Sequence, residues 1–263
     1  MTCDLFSRYY ESIKNSAVLE ENDDENFIVR SVEINTPVHL MSEANYKCVN
    51  CMEPSTSLYQ SYSEGVIRLS NCKHCNEVVD KYVEYETMLI VIDLIVHNIC
   101  AYRHIIYNMK IQSYLRLTVI FLLCDAYDKW ISGRVGVYSI YDLEWIFYKS
   151  FLQSAVEMVT YVATVVLCDV KMHSYQVERI LTVSRGTIIG YYGNVAVVLS
   201  IIFRLSNEFS YRSVTQLFIF ASRIQIQRTL FPDLSFRSNF IIVTSGVAVS
   251  MASGLLCRYF LEY

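Results

Sequence analysis

The stretch CVNCMEPSTSLYQSYSEGVIRLSNCKHC, Cys48 to Cys75, decides how this chain is read. It holds two Cys-x-x-Cys pairs, Cys48/Cys51 and Cys72/Cys75, separated by twenty residues. Such paired spacing matches the zinc-ribbon pattern, whose spacer is usually ~15–20 residues. Each Cys-x-x-Cys turn offers two sulfurs to one ion, and tetrahedral zinc readily takes four thiolates. A four-cysteine site has no open position for water, so the expected cofactor is structural Zn2+, bound by Cys48, Cys51, Cys72 and Cys75. Two disulfides or a redox-active Cys-x-x-Cys pair are the alternatives. The opening MTCDLFSRYYESIKN has no apolar secretory core, which counts against the first. No βαβ pattern flanks the pairs, which counts against the second. His74 lies between the second pair of thiols and is a spare ligand.

Working outward, the interior of the motif reads as short strands: Val66–Leu69 after Gly65, then Val78–Tyr85. The expected zinc ribbon covers residues 46–86. The stretch 87–109 then reads as one amphipathic helix, completing a module over 46–110. At 3.6 residues per turn, Asp93, His97, His104 and Asn108 fall within about a 60° stripe. Ile90, Val91, Leu94, Ile95, Ile105 and Ile106 form a wide apolar face. A narrow wet stripe and a broad apolar face suit a helix lying at a membrane surface. A helix packed on the ribbon with the same wet stripe is the plainer alternative. Arg103 lies beside the stripe, where it could meet a lipid phosphate, so Asp93, His97, Arg103 and His104 are the lipid or interface candidates. His97 and His104 are seven residues apart, or ~10 Å along a helix, too far to share a metal ion.

Upstream, residues 1–45 include EENDDEN and few large apolar side chains, and read as an acidic, disordered tail. Residues 1–110 carry nine Lys/Arg against sixteen Asp/Glu, a poor match for nucleic acid, whose binding relies on neutralised phosphates. Downstream the balance reverses, with thirteen against ten over 111–263. The whole chain of 263 residues is 53% hydrophobic and 18% charged, with a mean hydropathy of +0.29. Average soluble domains have ~45–50% apolar and ~25% charged residues, so the departure points to a membrane protein.

The apolar excess lies in 111–263, expected to be an α-helical membrane domain of three to five transmembrane helices. A span needs ~20 apolar residues. Ser238–Cys257 and Gly186–Phe203 are free of charge, whereas Phe151–Cys168 carries Glu157. Ser113–Tyr127 is interrupted by Arg116 and Asp125, and Ser213–Ser222 is short before Arg223. Gly186, Gly190 and Gly193, and then Gly246, Ser250 and Gly254, are small residues about one turn apart, the pattern that lets helices approach closely. Glu157 and Arg223 are charges inside apolar stretches and mark candidate functional positions. Five further cysteines, Cys3, Cys100, Cys124, Cys168 and Cys257, read as small hydrophobes.

The residues around the cysteines carry more than spacing. C-V-N-C at 48–51 is followed by S-L-Y at 57–59, Y-S-E-G-V-I-R-L at 62–69 and C-K-H-C at 72–75. Then come D-K-Y-V-E-Y-E at 80–86, I-D-L at 92–94, and A-Y-R-H at 101–104 with Asn108. This text resembles the homology domain of the Arv family, endoplasmic-reticulum membrane proteins of sterol and sphingolipid homeostasis. The resemblance is carried by residues 48–108, and the acidic tail departs from the family's compact start. It implies a zinc-binding N-terminal domain, a membrane-embedded remainder and multi-pass residence in the endoplasmic reticulum, with the Golgi as a second station. It also implies a role in intracellular sterol transport and sphingolipid metabolism, with membrane lipids, above all sterols, as partners. An accessory role in glycosylphosphatidylinositol-anchor synthesis, with that machinery as partner, is the alternative. No enzyme is expected, since G-x-S-x-G, H-E-x-x-H, P-loop and dinucleotide motifs are absent from the sequence. The ribbon is expected to face the cytosol, where thiolates persist.

Overall fold

The computed structural model describes residues 46–63, 66–111, 113–133, 140–173, 175–197 and 209–262. The acidic stretch 1–45, with Cys3, lies outside them. The chain divides into two compact units, Met1–Asn108 and Met109–Tyr263.

The described part of the first unit is built around two similar chain reversals. β1 (Tyr46–Lys47) pairs antiparallel with β2 (Pro54–Ser55), bracketing the first Cys pair. β3 (Tyr59–Ser63) pairs with β4 (Val66–Leu69), and an isolated bridge between Asn71 and Val78 brackets the second Cys pair. In each reversal the amide after the second cysteine returns to the first cysteine's carbonyl, Met52 to Cys48 and Asn76 to Cys72, both at 2.9 Å. Met52 and Asn76 have φ of 68° and 59°, the left-handed conformation that lets so tight a turn close. Asn tolerates it; Met does so at a cost. Val49 donates to Val79 O at 2.9 Å and joins the two reversals.

Two expectations for this unit are corrected. The strand expected over Val78–Tyr85 stops at the Val78 bridge and gives way to a 3-10 turn at Lys81–Glu84. The cause is Asp80, whose side chain accepts the Tyr82 amide at 3.0 Å and caps the turn. The single helix expected over 87–109 is three pieces: α1 (Thr87–Ile95), α2 (Ile99–Arg103) and a π turn (His104–Asn108). His97 sits in the break with φ of 61°, and Asn98 restarts the helix by accepting the Cys100 amide at 3.2 Å. An Asn side chain competes with helical bonding and is favoured at such caps.

The second unit is helical where described: α3 (Tyr114–Gly133), α4 (Ile140–His173), α5 (Val177–Ile189), α6 (Phe209–Leu230) and α7 (Phe236–Glu262). α4 is the hub, packed against α3, α5 and α7. Among the described residues two helices, α4 and α7, are long and apolar enough to cross a membrane by length and composition. In each, only 22% of the apolar window is buried. Leu152, Val159, Leu167, Ile241, Met251 and Leu255 point outward, as side chains in contact with acyl chains would. The charge-free window Gly186–Phe203 does not continue α5 as one uniform helix, because the chain tightens to a 3-10 turn at Gly190–Gly193. Residues 198–203 of that window lie outside the described residues.

The small residues do bring helices together. A Cβ added to Gly193 would lie 3.3 Å from the Ile219 Cα of α6, and one on Gly246 would lie 3.0 Å from the Tyr161 ring of α4. At Gly190 the same added atom meets the Ile226 side chain at an ordinary 3.4 Å. Gly193→Val is therefore expected to lower stability by ~1–3 kcal/mol, the usual effect of overpacking, while Gly190→Ala changes it less. Thermal melts of the purified chain in detergent read the difference, and equal shifts for the two variants would contradict this packing.

Candidate metal centre

The two reversals bring all four sulfurs of Cys48, Cys51, Cys72 and Cys75 within 4.8 Å of one another. The Cys48–Cys75 pair is separated by 3.7 Å and the Cys51–Cys72 pair by 3.6 Å. Sulfurs bound at ~2.3 Å to one tetrahedral ion stand ~3.8 Å apart, whereas a disulfide would need ~2.05 Å. The thiols are free, and their geometry fits a shared metal ion. Cys48 and Cys72 are buried, and Val79 and Leu58 pack around them, so this cluster is also the local core. His74 is exposed, leaving the four sulfurs as the ligand set.

The thiols of Cys48, Cys51 and Cys72 are unequal. Burial raises the Cys48 thiol and pushes Cys51 up to about 12. The backbone amide of Cys75 lowers Cys72 to about 7. Near neutral pH the pocket thus holds protons on Cys51 and Cys48 that a metal ion must displace, because only thiolates bind.

The helical pieces are fastened to this centre by a buried polar network. Asp80 is fully buried, and its Oδ2 accepts from Asn108 Nδ2 at 2.6 Å and lies 2.7 Å from His104 Nδ1. Asn108 also pairs twice with the Lys47 backbone of β1, both bonds at 2.9 Å. Tyr82 donates its hydroxyl to Asp93 Oδ2 at 2.6 Å, and Asn98 Nδ2 donates to the same oxygen at 3.1 Å. Burial and the bond to Asp93 push the Tyr82 hydroxyl well above its ordinary value, so it stays a donor. Arg103 Nη1 donates to the Val49 and Asn50 carbonyls at 2.8 and 2.6 Å, inside the first Cys-x-x-Cys turn.

The expected wet stripe is therefore turned inward. Asp93, His104 and Asn108 are buried, His97 is half-buried in the helix break, and Arg103 reaches the metal turn. Water competes poorly for groups that already have partners here, and burying them unpaired would be costly. The expected apolar face is split: Ile90, Leu94 and Ile105 are buried as well, Ile106 is half-buried, and only Val91 and Ile95 are exposed, beside Met88, Ile92 and Val96. Asp80, Tyr82 and Asn98 are participants that helical periodicity does not reveal, since they lie on other segments or in the break.

A second polar cluster occupies the helical unit. Lys129 Nζ of α3 lies 2.7 Å from both Asp125 Oδ2 and Glu157 Oε2, and donates to Ser154 Oγ at 3.0 Å. Gln153 Nε2 holds the other Glu157 oxygen at 2.8 Å. An atom added at Gly254 of α7 would collide with the Glu157 carboxyl group, so α7 closes directly over it. Arg223 of α6 lies over both the Tyr161 and the Tyr191 ring, which meet edge to face.

Together these features define a class: a four-cysteine module on short strands that could hold a metal ion, followed by a helical body with two membrane-length apolar helices among the described residues. The Arv1-like family profile matches residues 47–226. Human Protein ARV1 is 27% identical over 226 residues, covering 81% of this chain and 82% of the human protein. Bovine Protein ARV1 is 36% identical over 127 residues, covering 46% of this chain and 45% of that protein. Protein ARV1 of Saccharomyces cerevisiae is 48% identical over 61 residues, 23% of this chain and 19% of that protein. The chain belongs to the Arv1-like family. No solved structure matches it.

Two outcomes are expected of the centre. Zinc affinity should fall as pH is lowered, with protons released on loading. Calorimetry in buffers of different ionisation enthalpy reads this, and a pH-independent affinity with no proton release would refute thiol ligation. Separately, Asp80→Ala strands Asn108 and the Tyr82 amide and should destabilise the first unit by about 2–4 kcal/mol. Amide hydrogen exchange across the helical pieces 87–108 of the intact chain should then accelerate, with residues of α4 unaffected.

Proposed function

We propose that this protein is a multi-pass endoplasmic-reticulum membrane protein of lipid homeostasis, acting in the intracellular distribution of sterols and influencing sphingolipid metabolism. The observation that carries the reading is the four-thiolate module fastened by Asp80, Arg103 and Asn108 to helices bearing the family's motif residues. The outward apolar faces of α4 and α7 support the membrane assignment.

In this reading Zn2+ is held by Cys48, Cys51, Cys72 and Cys75 and is structural. Structural zinc contributes ~10–16 kcal/mol of apparent binding free energy in small modules, more than so small a core could replace. The ribbon faces the cytosol, and the domains are the acidic tail 1–45, the module 46–110 and the membrane domain 111–263. More than the two apolar helices cross the bilayer, three to five in all, packed around the charged cluster. The exposed face of α1 rests in the interfacial layer, with Met88, Ile92 and Ile95 toward the acyl chains. The protein has no catalytic centre of its own, and its partners are membrane lipids. A second reading, as an accessory subunit or lipid presenter for glycosylphosphatidylinositol-anchor synthesis, is favoured by the same module if its role is to dock on other membrane proteins.

Sterol transfer between donor and acceptor liposomes, measured with the purified full-length chain, tests the first reading. The expected result is accelerated transfer that Cys72→Ser abolishes and Ile95→Glu reduces several-fold. Absence of transfer together with co-purification of a glycosyltransferase from detergent extracts would favour the second reading.

A further inference from the structure

We propose that Arg223 is the recognition residue of an anion site in the helical unit, and that its ligand is a phosphate monoester or diester anion of the kind carried by phospholipid headgroups. The Arg223 guanidinium carbon is 4.7 Å from the centre of the Tyr191 ring and 4.9 Å from that of Tyr161. Both rings are buried, at 4% and 2% exposure, so two fixed aromatic walls hold the cation in place. Its Nε is buried with no hydrogen-bond partner among the described residues. No carboxylate among the described residues forms an ion pair with it.

The nearby acids are already taken. Glu157, one turn before Tyr161 on α4, is held by Lys129 and Gln153. Asp125 is held by Lys129, with Asn194 Nδ2 at 3.4 Å. Two carboxylates against one lysine leave a negative charge that offsets Arg223 at longer range but satisfies none of its donors. Charged side chains at membrane depth face a bundle interior and pair with something, because the alternative is costly. A guanidinium is a planar fork of five donors that matches phosphate bidentately. The two rings meet edge to face, 5.9 Å apart at 81°, and the guanidinium rests in the corner they form, which limits its movement more than it would limit a flexible ammonium. Tyr161 comes from α4 and Tyr191 from the 3-10 turn after α5, so the site exists only when three segments are assembled.

The inference rests on the helical unit being membrane-embedded, and the experiment separates the two. Retention of the chain in membranes after alkaline carbonate extraction is measured first, and loss into the supernatant would refute the embedding itself. Full-length protein in detergent is then titrated with phosphatidic acid, phosphatidylinositol and phosphatidylcholine, and bound lipid is counted by native mass spectrometry. A preference of roughly tenfold or more for the two anionic lipids over phosphatidylcholine is expected, the loss of one charge-assisted pair being of that size. Arg223→Gln should abolish the preference, Arg223→Lys should reduce it, and Arg228→Gln on the exposed face of α6 should leave it intact. Displacement by inorganic phosphate would identify the phosphate group as sufficient; resistance to it would assign the site to the intact lipid. No anionic preference in the wild type overturns the proposal. So does an unchanged preference in Arg223→Gln with a lowered melting temperature, which would make Arg223 a staple between helices. If Arg223→Gln fails to fold, Arg223→Lys decides, and binding equal to wild type overturns the proposal.

Discussion

The carboxylate of Asp80 holds the first unit together. It is fully buried, it caps the turn at Tyr82, it accepts from Asn108, and it lies against His104. A bare carboxylate in such a place would be costly, and each of these partners lowers that cost while fixing a different segment. Asn108 in turn binds both edges of the Lys47 peptide, so the end of the helical stretch is pinned to the strand that leads into Cys48. Arg103 adds a second pin at the carbonyls of Val49 and Asn50. The cysteine cluster and the helices are thus tied together, through the turn that Arg103 grips.

The helical unit meets a different constraint. Its outward side chains are apolar, so its helices cannot rely on water to drive them together and must gain from close contact and internal polar bonds. Gly193 and Gly246 permit the contact, and the Lys129–Asp125–Glu157 cluster supplies the bonds. Gly254 belongs to both, since its missing side chain is what leaves room for the Glu157 carboxyl group beneath α7.

The two units also differ in how well they could be read. The spacing of the cysteines anticipated the cluster of four sulfurs because Cys-x-x-Cys is a local geometry, set by one tight turn and by the reach of two sulfurs. The helix after it was misread in shape because an Asn at position 98 stops a helix only when its side chain turns back on the backbone, and periodicity does not report that choice. The stripe of Asp93, His104 and Asn108 was seen as a stripe, but its direction depended on Tyr82 and Asp80, which lie on another segment. Lys129 escaped notice in the same way: alone it interrupts an apolar helix, and only its approach to Glu157, 28 residues later, makes it the centre of a cluster.

What the sequence by itself determined is therefore everything carried by neighbours along the chain. That includes the two cysteine pairs, the apolar length of α4 and α7, the family motif and the small residues one turn apart. Tertiary structure decided which way the polar groups point and which charges meet. A charge or an amide on a helix has the same periodicity whether it faces water or a buried partner. Only the partner's position, fixed by the packing of remote segments, selects between the two, and the cost of burying an unpaired polar group makes that selection firm.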